Sequence, residues 1–178
     1  AKLDALIQRV RNHPALYLYY IIDEPSASIF SELGRLVAHL RENDPSHGSY
    51  INLFPIYANN QQLGTDGEPI PAYEEHLRQF VNIIRPELIS YDHYHFSVNG
   101  DGSQYFLNLE MIRQTAHDAG VPFMNIVQAC TWTPSMRIPT GDELRWLVYT
   151  SLAYGAQGIS YYVYSHPNHE GAMATADG

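Results

Sequence analysis

The sequence predicts an α/β fold made of parallel βα repeats, and three observations lead to that prediction. Short apolar runs alternate with amphipathic stripes along most of the 178 residues. The apolar runs begin near positions 17, 50, 88, 123 and 159, and this spacing of roughly 35 residues is typical of one βα unit. Consecutive units show no hairpin signal, so we expect the strands to run parallel with right-handed connections.

Five segments are predicted as strands because each is a short apolar and aromatic run bounded by polar or turn-forming residues. The first, Leu16–Ile22, is continuously apolar, the pattern of a strand buried on both faces. It ends at Asp23, Glu24 and Pro25. The segment Asn59–Pro71 is rich in Asn, Gln, Gly and Pro and is predicted to be a loop. The predicted strands are Leu16–Ile22, Tyr50–Phe54, Leu88–Tyr91, Phe123–Val127 and Ile159–Tyr164.

Helices are predicted before the first strand and between successive strands, where apolar residues recur at helical spacing. Ser26 or Ser28 can cap the second helix, and Thr140 with Glu143 forms a capping box for the last one. Gly120 is placed to end the fourth helix. The apolar stripes run over Leu3–Val10, Phe30–Leu40, Tyr73–Ile84, Leu109–Ala116 and Leu144–Leu152.

Two architectures fit five parallel βα units: an open doubly wound sheet and part of a (β/α)8 barrel. A glycine-rich phosphate loop after an early strand would favour the open sheet, and the isolated pair Gly100 and Gly102 does not form one. A complete barrel typically takes about 250 residues. We therefore predict a partial (β/α)8 TIM barrel with about five βα units over residues 1–164, followed by an irregular tail over 165–178.

Composition excludes several classes of function. The chain has 19 acidic and 10 basic residues, a net charge of −9, which argues against nucleic acid and anionic membrane surfaces as partners. No apolar run approaches the ~20 residues of a membrane-spanning helix. A single cysteine, Cys130, excludes an intrachain disulfide and a thiolate zinc cluster, and we predict no cofactor. No signal peptide is visible, so a secreted or periplasmic location would require that an upstream signal was removed.

Acids, amides and aromatic residues follow the predicted strands, where parallel α/β folds place their functional groups. Carboxylates that transfer protons, with amides and aromatics that position a substrate, are what glycoside hydrolysis requires. Glu24 follows a predicted buried strand, where a desolvated carboxyl would have a raised pKa, as an acid catalyst needs. Asp92 is the second carboxylate, either a catalytic partner or a group that orients one. The neighbouring Asp23 can instead interact with the dipole of the following helix.

The remaining strand-end residues are predicted to bind the substrate. The 14 tyrosines of the chain suit contacts with sugar rings, or alternatively packing of the sheet. The pair His93 and His95 also leaves open a metal-dependent enzyme, although no third ligand is evident. The predicted substrate-binding residues are Asn52, Tyr57, Tyr94, His95, Gln128, Trp132 and Tyr162.

Several of these segments together resemble the barrel glycoside hydrolases of the β-galactosidase-like superfamily. The resemblance extends over nearly the whole chain, to about Tyr164, and its most specific part is the run Ala153-Tyr154-Gly155-Ala156. The segments His13–Leu16 and Tyr20–Ser26 resemble the fourth-strand region, Tyr50–Pro55 the fifth strand, Ser90–Tyr94 the sixth, and Glu143–Trp146, Ala153–Ala156 and Gly158–Tyr162 the last helix and the eighth strand.

The resemblance implies a glycosidase barrel in which Glu24, after the fourth strand, is the acid/base. Retaining relatives carry a glutamate after the seventh strand as nucleophile, and this chain has Gln128 there. Either Asp92 supplies the second carboxylate, or the chain is a non-catalytic carbohydrate-binding or degenerate barrel fragment. The expected partner is a saccharide or polysaccharide. Because five parallel strands leave two unpaired edges, we also expect a homo-oligomer or a part of a longer chain.

Overall fold

Strands and helices alternate along the chain in the computed structural model, which describes residues 2–174. A single 3₁₀ turn, Ala27–Ile29, precedes the second helix. The helices are α1 (Lys2–Val10), α2 (Phe30–Asn43), α3 (Asn60–Leu63), α4 (Pro69–Ile84), α5 (Tyr105–Ala119) and α6 (Gly141–Ala153). The strands are β1 (Leu18–Asp23), β2 (Gly48–Leu53), β3 (Ile89–Asp92), β4 (Phe123–Gln128) and β5 (Gly158–Tyr162).

The five strands form one sheet in the order β1-β2-β3-β4-β5. Leu18 of β1 pairs with Gly48 of β2, and Met124 of β4 pairs with Gly158 of β5, both in parallel register. Sequential parallel strands joined by helices are the repeating unit of a (β/α)8 barrel. The predicted fold class, parallel βα repeats forming a partial barrel, is therefore confirmed.

The chain divides into two compact units. The first comprises the residues up to Phe54 and Ala58–Ile89, and the second comprises Pro55–Tyr57 and the residues from Ser90 onward. In the first unit, α2 packs against α4, with the rings of Phe30 and Phe80 in edge contact at 5.7 Å between centroids. The apolar stripe of α2 is buried as its spacing predicts.

The core of the second unit combines aromatic and aliphatic side chains. The ring of Tyr105 is buried and lies 4.8 Å from that of Trp146, measured between centroids. The Tyr105 hydroxyl contacts the hydroxyl of Thr150 at 2.9 Å, so its polar end is satisfied inside the core. Leu109, Ile112, Phe123, Val127 and Leu147 complete the buried apolar surface.

Two of the predicted helix ends are confirmed, and the predicted cap of the second helix is wrong. Thr140 and Glu143 form the reciprocal capping box of α6, and Gly120 ends α5 with a φ of 68°. Helix α2 begins after Ile29 without a side-chain cap. Ser26 instead caps the 3₁₀ turn before α2 by accepting from the Ser28 amide. The short helix α3 lies within the predicted loop, because Asn59 caps it and Gly64 ends it.

One prediction about burial is wrong. The run Leu16–Ile22 suggested a strand covered on both faces, yet β1 has no buried residue and Tyr20 is 53% exposed. The physical reason is position, since β1 is an edge strand with a single neighbour in the described sheet. Strand β3, which has a neighbour on each side, is buried at all of its residues.

Candidate functional site

Glu24 occupies an unusual backbone conformation directly after β1. Its φ is +43°, in the left-handed region that non-glycine residues rarely adopt. The following residue is Pro25, and a residue before proline prefers an extended backbone. Strand pairing is also irregular between Tyr20 and Asp23, just before this point. The Glu24 amide donates to the Asn52 carbonyl at 2.8 Å, which holds the strained residue against the end of β2.

A second left-handed residue shows why Glu24 stands out. Arg85 has a φ of +53° and ends α4, where its amide donates to the Val81 carbonyl at 3.1 Å. Helix termination explains a left-handed residue there. Glu24 follows a strand, so this explanation does not apply to it. Strained residues persist where the surrounding structure enforces them, and they cluster at functional sites.

A small polar network surrounds the end of β1 in the same unit. The Asn52 side-chain amide donates to the Asp23 carboxylate at 3.0 Å, and Asn52 is buried whereas Asp23 is exposed. The rings of Tyr20 and Tyr50 lie 5.0 Å apart between centroids. Burial, together with the charge of Asp23, raises the pKa of Tyr50. Tyr19 is engaged elsewhere, because its hydroxyl donates to Asp44 at 2.7 Å.

The other predicted catalytic carboxylate, Asp92, ends β3 in the second unit and is only 2% exposed. Glu24 and Asp92 therefore belong to different compact units. The catalytic roles of both residues remain predictions.

The histidine after Asp92 is held in one protonation state. Its Nδ1 lies 2.9 Å from Oδ1 of Asn108, and this oxygen also accepts from the Ile56 amide at 3.0 Å. Since Oδ1 is an acceptor, Nδ1 of His93 carries the proton. Burial lowers the pKa of His93 to about 4. Within residues 2–174 no three His, Cys, Asp or Glu side chains are grouped so that they could hold a metal ion.

Three of the predicted sugar-binding aromatics are brought together. The centroid of Trp132 lies 4.8 Å from that of Tyr94 and 5.1 Å from that of Tyr162, and Tyr94 and Tyr162 are 5.7 Å apart. Tyr57 lies nearby in the same unit, since its hydroxyl accepts from the Tyr94 amide at 3.2 Å. Half of the Tyr57 surface is exposed. We call Tyr94, Trp132 and Tyr162 the aromatic cluster.

Two predicted sugar-binding residues make other contacts. Gln128 is fully buried, and its amide bonds to both backbone polar groups of Phe96 and to the Arg137 carbonyl. It thus braces two loops. The ring of His95 stacks on Trp146 at 5.1 Å, and burial lowers the pKa of His95. Sugar binding by Gln128 and His95 remains a prediction.

Arg137 was not anticipated as an organising residue. Its guanidinium pairs with Asp101 at 3.0 Å and with Glu143 at 2.8 Å, and it lies 4.6 Å above the centre of the Phe96 ring. Hydrogen bonds from Arg137 lower the pKa of Glu143 to about 2. A cavity of about 390 Å³ beside this group is lined by His95, Phe96, Asp101, Asp142, Glu143 and Trp146.

Residues 165–178 were predicted to be an irregular tail, and the contacts of residues 165–174 were not anticipated; residues 175–178 lie outside the part of the chain that the structure describes. Residues 165–174 contain no helix or strand, yet they hydrogen-bond back to the loop after β4 and to the end of β5. Asn168 and Glu170 of this segment line a cavity with Trp132. No periodic pattern marks these residues, so sequence reasoning had no signal for them.

Comparisons with known proteins support the fold. No family model matches the chain, and no curated protein matches it in sequence. Among solved structures it is similar to the crystal structure of a putative alpha-L-fucosidase from Bacteroides thetaiotaomicron, with a TM-score of 0.65 and 11% identity. The match covers 93% of this chain and 52% of the other, so this chain spans about half of that protein. The likeness shows a glycosidase-like partial barrel.

Within the described residues, every helix is too short or too polar to cross a bilayer.

Proposed function

We propose that this protein is a glycoside hydrolase that cleaves a glycosidic bond by carboxylate acid/base catalysis, with Glu24 as the acid. The observation that carries the proposal is the strained backbone of Glu24 at the carboxyl end of β1, fixed by its hydrogen bond to Asn52. In a parallel βα fold, functional groups lie at the carboxyl ends of the strands. The similarity to the fold of a putative fucosidase supports the same class.

In the proposed reaction Glu24 donates its proton to the glycosidic oxygen as the bond between that oxygen and the anomeric carbon breaks. Positive charge develops on the sugar, and a water molecule attacks the anomeric carbon. A general base takes one proton from that water, so the products are two sugars with free hydroxyls. Asp23 and Asn52 form the polar surroundings of Glu24.

We further propose membership of the β-galactosidase-like superfamily, on the segments that resemble it, from Tyr20–Ser26 to Gly158–Tyr162. A saccharide or polysaccharide is the proposed substrate. The aromatic cluster supports this substrate class, since tyrosine and tryptophan rings offer apolar faces to sugar rings.

A second candidate is a carbohydrate-binding protein without turnover. The observation that favours it is the environment of Gln128, which stands where retaining relatives have a glutamate and is fully buried in backbone hydrogen bonds. A side chain committed to bracing two loops cannot act as a nucleophile. Under this alternative the aromatic cluster binds sugar and Glu24 has no chemical role.

The deciding experiment is a screen of the purified protein against nitrophenyl glycosides and polysaccharides, with Glu24→Gln in parallel. Glu42→Gln is the matched control, because Glu42 is an exposed glutamate of α2 in the same unit. Hydrolysis that is lost in Glu24→Gln and kept in Glu42→Gln supports the glycosidase. Equal hydrolysis in all three proteins contradicts it, and saccharide binding without turnover supports the alternative.

A further inference from the structure

The loop after β4 and the segment after β5 enclose a cavity of about 340 Å³. All of the residues that line it belong to the second unit. The lining residues are Thr131, Trp132, Thr133, Pro134, Met136, Asn168 and Glu170.

The segment after β5, residues 165–174, is fixed over this cavity, and we call it the strap. The backbone of Glu170 pairs with that of Thr131 in both directions, at 2.9 and 3.0 Å. The ring of His169 stacks on Trp132 at 5.6 Å, and its Nε2 lies 3.2 Å from the Tyr162 hydroxyl. Two more amides, those of Met173 and Ala174, donate to carbonyls just after β5.

A glycine in the strap permits its close approach to the opposite wall. Gly171 has a φ of +92°, and a methyl group added there would lie 2.6 Å from Cγ2 of Ile138. Such a contact is far inside the normal packing distance, so a larger residue would require the Ile138 side chain or the strap to move. Both the conformation and the packing therefore require glycine at this position.

The wall opposite the strap is also fixed by hydrogen bonds. The Thr131 hydroxyl lies 3.0 Å from the Thr133 carbonyl and 3.2 Å from the Met136 carbonyl. The Thr133 hydroxyl contacts that of Ser135 at 2.9 Å. A ligand would thus meet a preorganised loop, which lowers the entropy lost on binding.

The Glu170 side chain is available to a ligand. Its backbone is anchored, its side chain is exposed, and within residues 2–174 its carboxylate makes no hydrogen bond or ion pair. The lining contains an aromatic ring, a carboxylate, a side-chain amide and hydroxyls, and it contains no lysine or arginine. Without a base the cavity does not suit anions such as phosphates.

We infer that this cavity is a binding subsite for a neutral saccharide unit, in which Glu170 and Asn168 bind hydroxyls beside the indole of Trp132. A carboxylate accepts hydrogen bonds from sugar hydroxyls, and an amide both donates and accepts. The apolar face of a sugar ring packs on an indole. The inference rests on the proposed function for its substrate class only. It adds Glu170 and Asn168, which the sequence did not single out, as the residues that determine which hydroxyl pattern binds.

Binding can be tested independently of catalysis. A panel of neutral methyl glycosides is titrated into the whole chain, followed by calorimetry and by the indole NMR signal of Trp132. We expect saturable binding by at least one glycoside, and a roughly tenfold weaker Kd for Glu170→Gln, which corresponds to about 1.4 kcal/mol. Glu74→Gln, an exposed glutamate of α4, is the matched control and should bind as the unmodified chain does.

A second variant tests the strap without altering a binding group. Gly171→Ala retains Glu170, Asn168 and Trp132 but strains the backbone of the strap and crowds Ile138, so we expect it to weaken binding of the same glycoside at least fivefold. A circular-dichroism melt of each variant shows whether it is folded. Tetramethylammonium serves as the competing probe, because a carboxylate beside an indole can also bind a cation.

The outcomes separate this inference from the proposed function. Binding that falls in Glu170→Gln and persists in Glu24→Gln supports the subsite, whether or not the chain hydrolyses a glycoside. The absence of saturable glycoside binding, equal affinity in Glu170→Gln and the unmodified chain, or preferential binding of tetramethylammonium overturns it. Hydrolysis that requires Glu24 but is indifferent to Glu170 would leave the proposed function intact and eliminate the subsite.

Discussion

The end of β1 in the first unit and the region after β3 in the second unit both present predicted site residues, but they hold them differently. At the end of β1 the candidate acid, Glu24, is placed by a strained backbone and one backbone hydrogen bond. After β3, His93 is placed by complete burial and by the Oδ1 atom of Asn108, which also fixes the Ile56 amide. One region depends on backbone geometry, and the other on buried polar contacts and ring packing.

This difference distinguishes a residue that is proposed to react, Glu24, from a residue that positions its neighbours, His93. Glu24, as the proposed acid, must reach the glycosidic oxygen, so its position is set by the backbone without burying the side chain. A group that only positions neighbours can be buried, and burial then makes its hydrogen bonds costly to lose. The comparison therefore predicts that changes near β1 alter activity more than stability, while changes at His93 and Asn108 do the reverse.

The largest expected effect is on catalysis at Glu24. Glu24→Gln should lower hydrolysis by about 10²–10⁴-fold, the usual contribution of a positioned general acid. Glu24→Gly should lower it as much, while raising the free energy of unfolding by about 1 kcal/mol because glycine relieves the left-handed strain. Steady-state kinetics and urea unfolding measure the two quantities.

Arg85→Gly provides the control for strain alone, since Arg85 is also left-handed but lies at the end of α4. We expect Arg85→Gly to raise the free energy of unfolding by a similar amount and to leave the rate of hydrolysis unchanged. If Glu24→Gly is destabilised, the unusual backbone is a structural requirement, and the comparison between the two regions fails.

The next effect is on stability in the second unit. Asn108→Leu removes the acceptor shared by His93 and the Ile56 amide, which leaves two buried donors without that partner. At about 2 kcal/mol for each donor, we expect a loss of about 4 kcal/mol in the free energy of unfolding. Chemical denaturation checks this, and a loss below about 1 kcal/mol would show that the region is not held by its buried hydrogen bonds.

We also expect the free energy of unfolding to depend on pH, because His93 is buried. Its folded pKa is about 4, below the ordinary value of 6.5, because burial disfavours the charged imidazolium. The neutral ring therefore contributes stability that is fully present above pH 6.5 and is lost as the pH falls towards 4. The contribution is about 3 kcal/mol.

The measurement for His93 is the free energy of unfolding between pH 7.5 and 4 in the unmodified chain and in His93→Gln. The difference between the two profiles isolates His93 from the other groups that titrate over this range. His76, which is also buried with a lowered pKa, titrates equally in both proteins. Parallel profiles would contradict the prediction.

The smallest expected effect is at Asn52. Asn52→Ala removes the hydrogen bond to Asp23, whose side chain is exposed and can be solvated instead. We expect a loss of about 1 kcal/mol in the free energy of unfolding, measured in the same denaturation assay as Asn108→Leu. A loss as large as that of Asn108→Leu would remove the distinction between the two regions.

Local patterns in the sequence predicted most of the fold. The spacing of apolar runs placed five strands and their helices, because strand and helix periodicities are set by the chain itself. The capping box of Thr140 and Glu143 and the glycine at 120 gave two helix ends directly. The sequence also placed Glu24 and Asp92 at the ends of strands, since the polar residues that end an apolar run are visible in the sequence.

Only the tertiary structure decided which of these residues are free to act. Edge strands and central strands can have the same apolar sequence pattern. The exposure of β1 therefore depended on its position in the sheet, which the pattern does not show. From the sequence, Gln128 was predicted to be a substrate-binding amide at the end of a strand. Its hydrogen bonds to Phe96 and Arg137 depend on how two loops fold around it. The strap brings Glu170 beside Trp132 through backbone pairing and a close glycine contact. Long-range contacts of this kind leave no periodicity in the sequence, and they determine where side chains meet.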